Sequence, residues 1–364
     1  MENLYLIAAG GTGGHFYPGI ALGKALIEKG KSVIFVIKQG SPNIKYLDDN
    51  ELSFQEIDFV FMPRNKNIKA WFNFIKKFFK TLKQMRDLIK LTEPKCCIGM
   101  GGYISFPLIF VAHFMGCKTA IHDSNSKMGL ANKVCAKFAD IVFLGLPLEQ
   151  MPKKAILVGT PIREEFRTKL TEEEKIYWEM ETGFGINFLI FGGSQGAKKL
   201  NYAAAEVAKK LLSCTQGRLN IFHITGTRDY EEIKKVYGGD IPHLTLLPYA
   251  EDIYSLMKAV HVIIARSGAS SLAEICALKK PSILVPFPYA ADNHQYHNAK
   301  IFKDAGLSLL VEESDNLEQD LFNAVKKLLS APEHLQKMRE SYNNLTLPDP
   351  LQAADKMCEI LERK

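Results

Sequence analysis

Short apolar runs alternate with longer amphipathic stretches along the whole chain. In the first half this pattern predicts strands at residues 4–8, 32–37, 96–98, 118–122 and 141–144, and helices at about 15–29, near 106–115 and near 129–138. In the second half it predicts strands at 188–191, 219–225, 245–247, 262–265 and 282–285, and helices at 197–212, 270–278 and near 297–305. Strands that alternate with helices are typical of βαβ units. We therefore predict an α/β protein with two similar parallel-sheet halves.

Glycine and proline interrupt the pattern between Val158 and Pro161, which predicts a domain boundary there. We expect an N-terminal domain at residues 1–160 and a C-terminal domain at 161–345, with a charged helix at 172–181 leading into the second core. Residues 346–364 contain a last predicted helix, which follows Pro350. Packing of this helix on the N-terminal domain is an arrangement that the sequence leaves open.

The composition is that of a folded soluble protein, since 47% of the 364 residues are hydrophobic and 24% are charged. The seven cysteines include no CxxC pair, which favours reduced thiols in a cytosolic protein over a disulfide framework or a zinc site. No apolar run approaches the ~18–20 residues of a membrane-spanning helix, because the longest stops at His113. The first residues lack the pattern of a targeting segment, so we expect none.

A strand, a glycine-rich turn and a helix occur twice, about half the chain apart. The first turn reads Gly10-Gly11-Thr12-Gly13-Gly14-His15 and the second reads Gly192-Gly193-Ser194-Gln195-Gly196-Ala197. Because backbone N–H groups at such helix starts bind phosphate, we expect a phosphate-bearing ligand in a cleft between the halves. A ligand-free turn is the alternative. Phe16 replaces the third glycine of the dinucleotide pattern G-x-G-x-x-G, which disfavours an NAD enzyme.

Two features of the first half suggest catalysis and a second anion site. His15 closes the first glycine turn at a helix start, where the helix dipole favours a neutral imidazole. Such a group can act as a general base, and a structural histidine is the alternative. Gly101, Gly102 and Tyr103 form another glycine loop after a predicted strand. This loop predicts either a site for a second substrate or an ordinary turn.

The second half contributes polar residues after two of its predicted strands. Ser270 and Ser271 open a helix, and Glu274 lies one turn further on, where it suits either sugar hydroxyls or solvent. Gln295 lies in a polar stretch whose amide side chains also suit sugar hydroxyls. No Asp-x-Asp motif or acid pair with metal-ligand spacing occurs, so we predict no metal site and disfavour a metal-dependent sugar transferase of the single-domain type.

Basic charge is concentrated in one segment. The net charge is +6, yet residues 64–90 alone contain nine basic residues and one acid. From Trp71 to Lys83 aromatic side chains and lysines recur at helical spacing, as in the i,i+4 pair Phe74 and Phe78. An amphipathic helix docked on the core is one interpretation, and a face that contacts an anionic membrane surface is the other. The bulky apolar stripe favours lipid over nucleic acid.

Together these motifs resemble those of the MurG family of peptidoglycan glycosyltransferases, in glycosyltransferase family 28. The resemblance extends to about residue 310 and rests on residues 11–19, 101–105, 122 with 125, 129–133, 159–163, 192–197, 266–269 with 274, and 295–299. It implies the GT-B fold, with two Rossmann-like domains facing across a cleft. It also implies an inverting transfer of N-acetylglucosamine from UDP-GlcNAc to the 4-hydroxyl of muramic acid on undecaprenyl pyrophosphate. The enzyme would attach peripherally to the cytoplasmic face of the inner membrane through residues 71–83.

The resemblance assigns roles to individual residues. Donor contacts would come from Thr12, Gly13, Gly14, Asn125, Arg163, Ser194, Gln195, Gly196 and Gln295. Ala269, Ser270 and Ser271 would lie along the donor, and Glu274 would hold the ribose hydroxyls. The loop of Gly101, Gly102 and Tyr103 would face the acceptor pyrophosphate. Asp123, Ser124 and Phe106 depart from the family pattern, in which the position of Phe106 is usually glycine.

These expectations describe a single in-line displacement in which His15 takes the proton of the incoming hydroxyl. Arg163 and the N–H groups of residues 194–196 would stabilise the departing UDP, so that neither a metal nor a cofactor is required. A non-hydrolysing UDP-GlcNAc 2-epimerase of the same architecture is a rival, which the basic aromatic segment and the Gly101 loop disfavour. A nucleotide-sugar-binding or membrane scaffold protein without turnover is the other rival.

Overall fold

The structure is a computed structural model that describes residues 3–10, 13–59, 63, 67–168, 185–193, 197–215 and 217–363. The chain divides into two compact units. Unit 1 comprises Met1–Arg163 together with Leu347–Lys364, and unit 2 comprises Glu164–Thr346. The charged helix predicted at 172–181 lies outside the described residues.

Unit 1 is built on a parallel sheet. Its strands are β1 (Leu4–Ala8), β2 (Ser32–Lys38), β3 (Phe54–Ile57), β4 (Cys96–Gly99), β5 (Lys118–Asp123), β6 (Ile141–Leu144) and β7 (Ala155–Leu157). Their order in the described sheet is β3-β2-β1-β4-β5-β6-β7. The helices that follow in chain order are α1 (Gly13–Glu28), α2 (Ile44–Asp49), α3 (Ile68–Thr92), α4 (Ser105–Phe114) and α5 (Leu130–Cys135).

Helices cover both faces of this sheet. All five residues of β1 are apolar and buried, as expected for a central parallel strand. On one face α1 packs closely, since a Cβ on Gly23 would lie 2.3 Å from Cζ of Phe35 in β2. On the other face Met85 of α3 and Leu108 of α4 join the core that contains Leu6. The carboxyl ends of the strands therefore emerge between two helical layers, where their loops form one edge.

Unit 2 repeats the plan with a smaller sheet. Its strands are β8 (Ile186–Phe191), β9 (Leu219–Ile224), β10 (Leu244–Leu247), β11 (Val262–Ala265), β12 (Ser282–Leu284) and β13 (Ser308–Leu310), parallel and in the order β10-β9-β8-β11-β12-β13. Its helices are α6 (Lys198–Cys214), α7 (Tyr230–Tyr237), α8 (Ile253–Ala259), α9 (Ala269–Ala277), α10 (His294–Asp304), α11 (Leu317–Ser330) and α12 (Pro332–Ser341). Short 3-10 helices lie at Glu164–Phe166, Ala291–Asn293 and Tyr342–Asn344.

The last helix, α13 (Pro350–Glu362), belongs to unit 1 and packs against α1. Met357 and Leu361 are fully buried in the core beneath α1. Lys118 Nζ donates to the carbonyl oxygens of Leu361 and Arg363, at 3.1 and 2.7 Å, and so caps the end of α13. A separate ion pair joins Lys31 to Glu362 at 2.8 Å.

The strands predicted from apolar runs are present, and three short strands were missed. The missed strands, β3, β7 and β13, all lie at sheet edges. Each has only three or four residues, which are mostly half-buried or exposed, so the sequence signal of each is weak. The helix predicted near 129–138 is shorter than expected and ends at Cys135, whereas the one predicted near 297 begins three residues earlier, at His294.

Candidate functional site

In unit 1 the carboxyl ends of β1 and β4 bring His15 against the loop after β4. A Cβ on Gly101 would lie 2.6 Å from Nδ1 of His15, and a Cβ on Gly102 would lie 3.2 Å from the carbonyl oxygen of Gly10. Gly101 and Gly102 have φ values of +104° and +74°, which L side chains rarely adopt. The imidazole therefore packs directly on loop backbone, and the neighbouring Tyr103 is 46% exposed.

A second histidine lies behind this edge. His122 is fully buried at the end of β5, and its Nε2 lies 3.0 Å from the carbonyl oxygen of Gly159. Nε2 must carry a hydrogen to donate there, so Nδ1 accepts from the Ser124 hydroxyl at 3.5 Å. Burial lowers the pKa of His122, and this effect outweighs the opposing effects of the hydrogen bond to Gly159 and the charge of Asp123. The His122 ring therefore stays neutral and links β5 to the chain segment after β7.

Asp123 organises the loop that carries Asn125. Its Oδ1 accepts from the backbone N–H of Asn125 at 3.0 Å. Its Oδ2 accepts from the Gly129 N–H and from Nδ2 of Asn132, both at 3.0 Å. Since Asn132 Nδ2 also donates to the His122 carbonyl oxygen at 2.9 Å, the whole loop is held by one buried carboxylate.

Arg163 lies beside the start of α1. Its guanidinium carbon is 5.1 Å from the centre of the Tyr17 ring, a cation–π distance. A Cβ on Gly13 would lie 3.3 Å from the same ring. The residues Gly13 and Gly14 begin α1, where the helix dipole favours negative charge. A guanidinium next to a glycine-rich helix start is suited to phosphate.

In unit 2 a buried ion pair ties three strand ends together. Arg266 follows β11, and its Nη1 donates to the carbonyl oxygens of Val285 and Pro286 at 3.1 and 3.2 Å. Its Nη2 donates to Oε2 of Glu313, which follows β13, and both side chains are less than a tenth exposed. The guanidinium also lies 5.5 Å from the centre of the Phe287 ring. Arg266 is thus a structural anchor of this edge.

Gln295 lies in the first turn of α10, after a sharply bent loop. Asp292 and Asn293 both adopt left-handed backbone conformations, with φ values of 51° and 52°. Oε1 of Gln295 accepts from the N–H of Phe287 at 3.0 Å, and its carbonyl oxygen accepts from the Ser267 hydroxyl at 2.8 Å. The Gln295 amide oxygen is therefore engaged in a hydrogen bond to the loop that precedes α10.

The start of α9 presents the other predicted donor residues. The helix follows Gly268, whose backbone is extended, at the carboxyl end of β11. Ala269 is buried, whereas Ser270 and Ser271 are half-buried in the first turn. Glu274, also half-buried, lies in the second turn. The helix dipole and two hydroxyls thus emerge where ligands bind in open parallel sheets.

The basic aromatic segment forms the first half of α3. Asn67 caps this helix, since its side chain accepts from the N–H of Lys69 at 2.9 Å. The buried residues of α3 begin only at Thr81, so the second half docks on the core. The first half exposes large apolar side chains, with exposed fractions of 83% for Ile68, 37% for Trp71, 72% for Phe72, 47% for Ile75 and 65% for Phe79.

Four predicted donor residues, Thr12, Ser194, Gln195 and Gly196, lie outside the described residues. Sequence reasoning missed Glu313 as the partner of Arg266 and missed the loop-forming role of Asp123. For Asp123 a signal was present, since an acid directly after a strand often accepts from the next N–H groups. Within the described part of the chain, no group of three His, Cys, Asp or Glu side chains has a metal-binding arrangement. None of the described helices combines the length and apolarity needed to cross a membrane.

Known proteins share both the sequence and the fold. The chain matches the glycosyltransferase family 28 N-terminal domain over residues 5–144 and the C-terminal domain over 187–352. The crystal structure of Acinetobacter baumannii MurG superimposes with a TM-score of 0.78, covers 100% of both chains and is 24% identical, which shows the GT-B fold. A putative UDP-N-acetylglucosamine 2-epimerase from Listeria monocytogenes has a TM-score of 0.70 at 11% identity, covering 98% of this chain and 95% of its own. The fold alone thus does not separate transferase from epimerase.

Sequence identity distinguishes the transferases from the epimerase. A UDP-N-acetylglucosamine--N-acetylmuramyl-(pentapeptide) pyrophosphoryl-undecaprenol N-acetylglucosamine transferase from Elusimicrobium minutum is 43% identical over 361 residues, which cover 98% of this chain and 99% of that protein. A transferase of the same name from Thermodesulfovibrio yellowstonii is 35% identical over 98% of this chain and 97% of its own. The chain therefore belongs to this transferase family, within glycosyltransferase family 28.

Proposed function

We propose that the chain is a hexosyltransferase that moves N-acetylglucosamine from UDP-GlcNAc to the 4-hydroxyl of N-acetylmuramyl-peptide on undecaprenyl pyrophosphate. The observation that carries this proposal is the 43% identity to a transferase of that name over nearly the whole chain. The described geometry supports it, because His15 packs on the backbone of Gly101 at the carboxyl edge of unit 1. A lipid-linked diphosphate would bind at this glycine loop through its backbone N–H groups.

The proposed chemistry is an in-line displacement with inversion. The acceptor oxygen forms a bond to the anomeric carbon, the bond from that carbon to the UDP oxygen breaks, and His15 takes the hydroxyl proton. Negative charge develops on the departing diphosphate. Arg163 and the glycine-rich start of α1 are suited to stabilise it. The family resemblance assigns the same role to residues 194–196. In this proposal the Arg163 guanidinium and backbone N–H groups stabilise the departing diphosphate.

Unit 2 would hold the rest of the donor. The start of α9, with Ala269, Ser270 and Ser271, would lie along the nucleotide, and Glu274 would accept from the ribose hydroxyls. Gln295 would contact the sugar through its amide N–H group, since its amide oxygen serves the Phe287 N–H. Asn125 would contact the donor from the loop that Asp123 holds. Within unit 2, the Arg266–Glu313 pair would keep the loops after β11, β12 and β13 at a fixed spacing.

We also propose that the exposed first half of α3 attaches the protein peripherally to the cytoplasmic face of the membrane. Phe72, Ile75 and Phe79 would enter the lipid interface, and the flanking lysines would meet anionic headgroups. Lys80 contributes less than the sequence suggested, because its Nζ pairs with Asp58 at 2.9 Å.

Vesicle sedimentation tests the membrane proposal. The protein should bind vesicles that contain phosphatidylglycerol, bind pure phosphatidylcholine far less, and lose binding as salt rises. Phe72→Glu should reduce binding, whereas Tyr289→Glu, at an 83% exposed tyrosine of unit 2, should not. Equal binding of wild type and Phe72→Glu would contradict the proposed surface.

Turnover of labelled UDP-GlcNAc, with and without the lipid-linked acceptor, tests the reaction itself. A transferase consumes the donor only when the acceptor is present and yields a labelled lipid product. An epimerase converts UDP-GlcNAc to its 2-epimer without acceptor, and a scaffold protein binds it without any conversion. Either of the last two results would reject the proposed function.

A further inference from the structure

The loop that packs on His15 is closed by the first residue of α4. The N–H of Gly101 donates to Ser105 Oγ at 3.1 Å, and the Ser105 hydroxyl donates to the Gly101 carbonyl oxygen at 2.8 Å. Ser105 is fully buried and begins α4. The loop conformation, and with it the backbone against His15, therefore depends on where the first turn of α4 lies.

That first turn is in contact with α3 through one aromatic stack. The ring of Phe106, next to Ser105, lies 6.1 Å from the ring of Phe78, with an angle of 13° between the planes. Phe78 in turn stacks on Phe74 at 5.8 Å and 24°. Both rings of the first pair are half-buried, whereas the adjacent Phe79 points to solvent and is 65% exposed. Phe78 therefore packs on α4, whereas the next residue of the same helix faces solvent.

The stack also explains why position 106 carries a phenylalanine where the family usually has a glycine. A glycine there would remove the ring of α4 that stacks on Phe78, and with it this contact between the first turn of α4 and α3. In this chain the position carries a phenylalanine that contacts three other rings, those of Phe78, Phe110 and Phe138. The start of α4 is therefore packed by side chains and is not left to glycine flexibility.

We propose that Phe78 is a positioning residue for the acceptor: through Phe106 it holds the Gly101 loop in the conformation that meets His15. The proposal rests on the proposed function and adds to it a determinant specific to the acceptor. In this proposal Phe78 acts on the acceptor through Phe106 and not by direct contact. The donor contacts proposed above, in both units, do not include the Gly101 loop, so donor binding should not depend on Phe78.

Steady-state kinetics with a short-chain, water-soluble acceptor provide the test, because this substrate removes the need for membrane attachment. Phe78→Ala should raise the KM for the acceptor about three- to tenfold, as expected for loss of an aromatic pair, while the KM for UDP-GlcNAc stays unchanged. Leu91→Ala is the control, at an 80% exposed leucine near the end of α3, and should change neither KM. Phe78→Tyr retains the ring and should restore the wild-type value. An unchanged acceptor KM in Phe78→Ala, or an equal rise in Leu91→Ala, would overturn the proposal.

A double-mutant cycle and hydrogen exchange separate this inference from the proposed function. Phe78→Ala and Phe106→Ala should each raise the acceptor KM, and the double variant should show little further rise, because both remove the same contact. Amide exchange at residues 101–105 should be faster in Phe78→Ala than in Leu91→Ala, whatever reaction the enzyme catalyses. Should Phe78→Ala fail to fold, Phe78→Leu takes its place in both measurements. Normal loop protection in the variant would reject the positioning role even in an active transferase.

Discussion

The two units share a parallel sheet plan and differ in what holds its carboxyl edge. In unit 1 the edge is held by contacts with loop backbone, made by the buried Asp123 carboxylate, His122 and His15. In unit 2 the edge is held by the buried ion pair of Arg266 and Glu313. An edge packed on loop backbone is sensitive to added volume. An edge held by an ion pair is sensitive to the loss of either partner, because an uncompensated charge would remain buried.

The largest effect is expected from breaking the ion pair of unit 2. Glu313→Gln leaves the Arg266 guanidinium buried without a counter-charge, and should lower the free energy of unfolding by about 3–5 kcal/mol. Asp315→Asn is the control, since it removes an exposed pair with Lys199 and should cost less than about 1 kcal/mol. Urea denaturation measures both variants. Similar midpoints for wild type and Glu313→Gln would mean that the pair does not hold the edge.

Acidification should weaken unit 2 through a buried histidine. His223 Nε2 donates to Asn201 Oδ1 at 3.3 Å, so Nδ1 of the neutral ring accepts from the Tyr237 hydroxyl at 2.9 Å. Burial lowers the pKa of His223 to about 3. The unfolded chain binds the proton near pH 6.5 and the folded one does not, so stability is present above pH 6.5 and falls as the pH drops toward 3. Between pH 7 and pH 5 we expect a loss of about 2 kcal/mol.

Urea denaturation at both pH values, with His223→Gln as the comparison, isolates this effect. The variant cannot take up a proton at this position, so its stability should change less between pH 7 and pH 5 than that of the wild type. His122 in unit 1 has its pKa lowered by burial as well and acts in the same direction. An equal pH dependence in variant and wild type would assign the acid sensitivity to groups other than His223.

The comparison also shows which parts of the molecule could be predicted from sequence. The central strands β1 and β8 contain buried apolar runs of four residues or more, so local pattern suffices for them. The edge strands β3, β7 and β13 have only three or four residues and are defined by pairing with a neighbouring strand. His15 and Gly101 were both predicted to follow strands, but their contact was not predicted, because it depends on the pairing of β1 with β4, which brings the carboxyl ends of these strands together. The pairing of Arg266 with Glu313 was not, since the partners are 47 residues apart and no periodicity relates them.

His15→Ala tests the catalytic edge of unit 1 and should lower turnover at least about tenfold, equivalent to about 1.4 kcal/mol of barrier. Loss of the imidazole removes the proposed proton acceptor and leaves the substrate contacts of unit 2 in place. The measurement is product formation with the lipid-linked acceptor, alongside thermal unfolding to confirm that the variant is folded. His334→Gln, on α12 of unit 2, serves as the control. Near-normal turnover in His15→Ala would remove this residue from the role of base.

The smallest expected effect compares Gly101 with a glycine of unit 2 that lies outside the proposed site. Gly101 and Gly238 both have positive φ, at +104° and +76°, so an alanine at either position strains the backbone. A Cβ on Gly101 would meet His15 at 2.6 Å, whereas one on Gly238 would meet nothing within 4 Å. Gly101→Ala should therefore displace the imidazole and lower turnover by about threefold beyond its effect on stability, while Gly238→Ala should only lower stability. Equal losses of turnover would show that strain alone matters and that the packing of His15 on unit 1 does not.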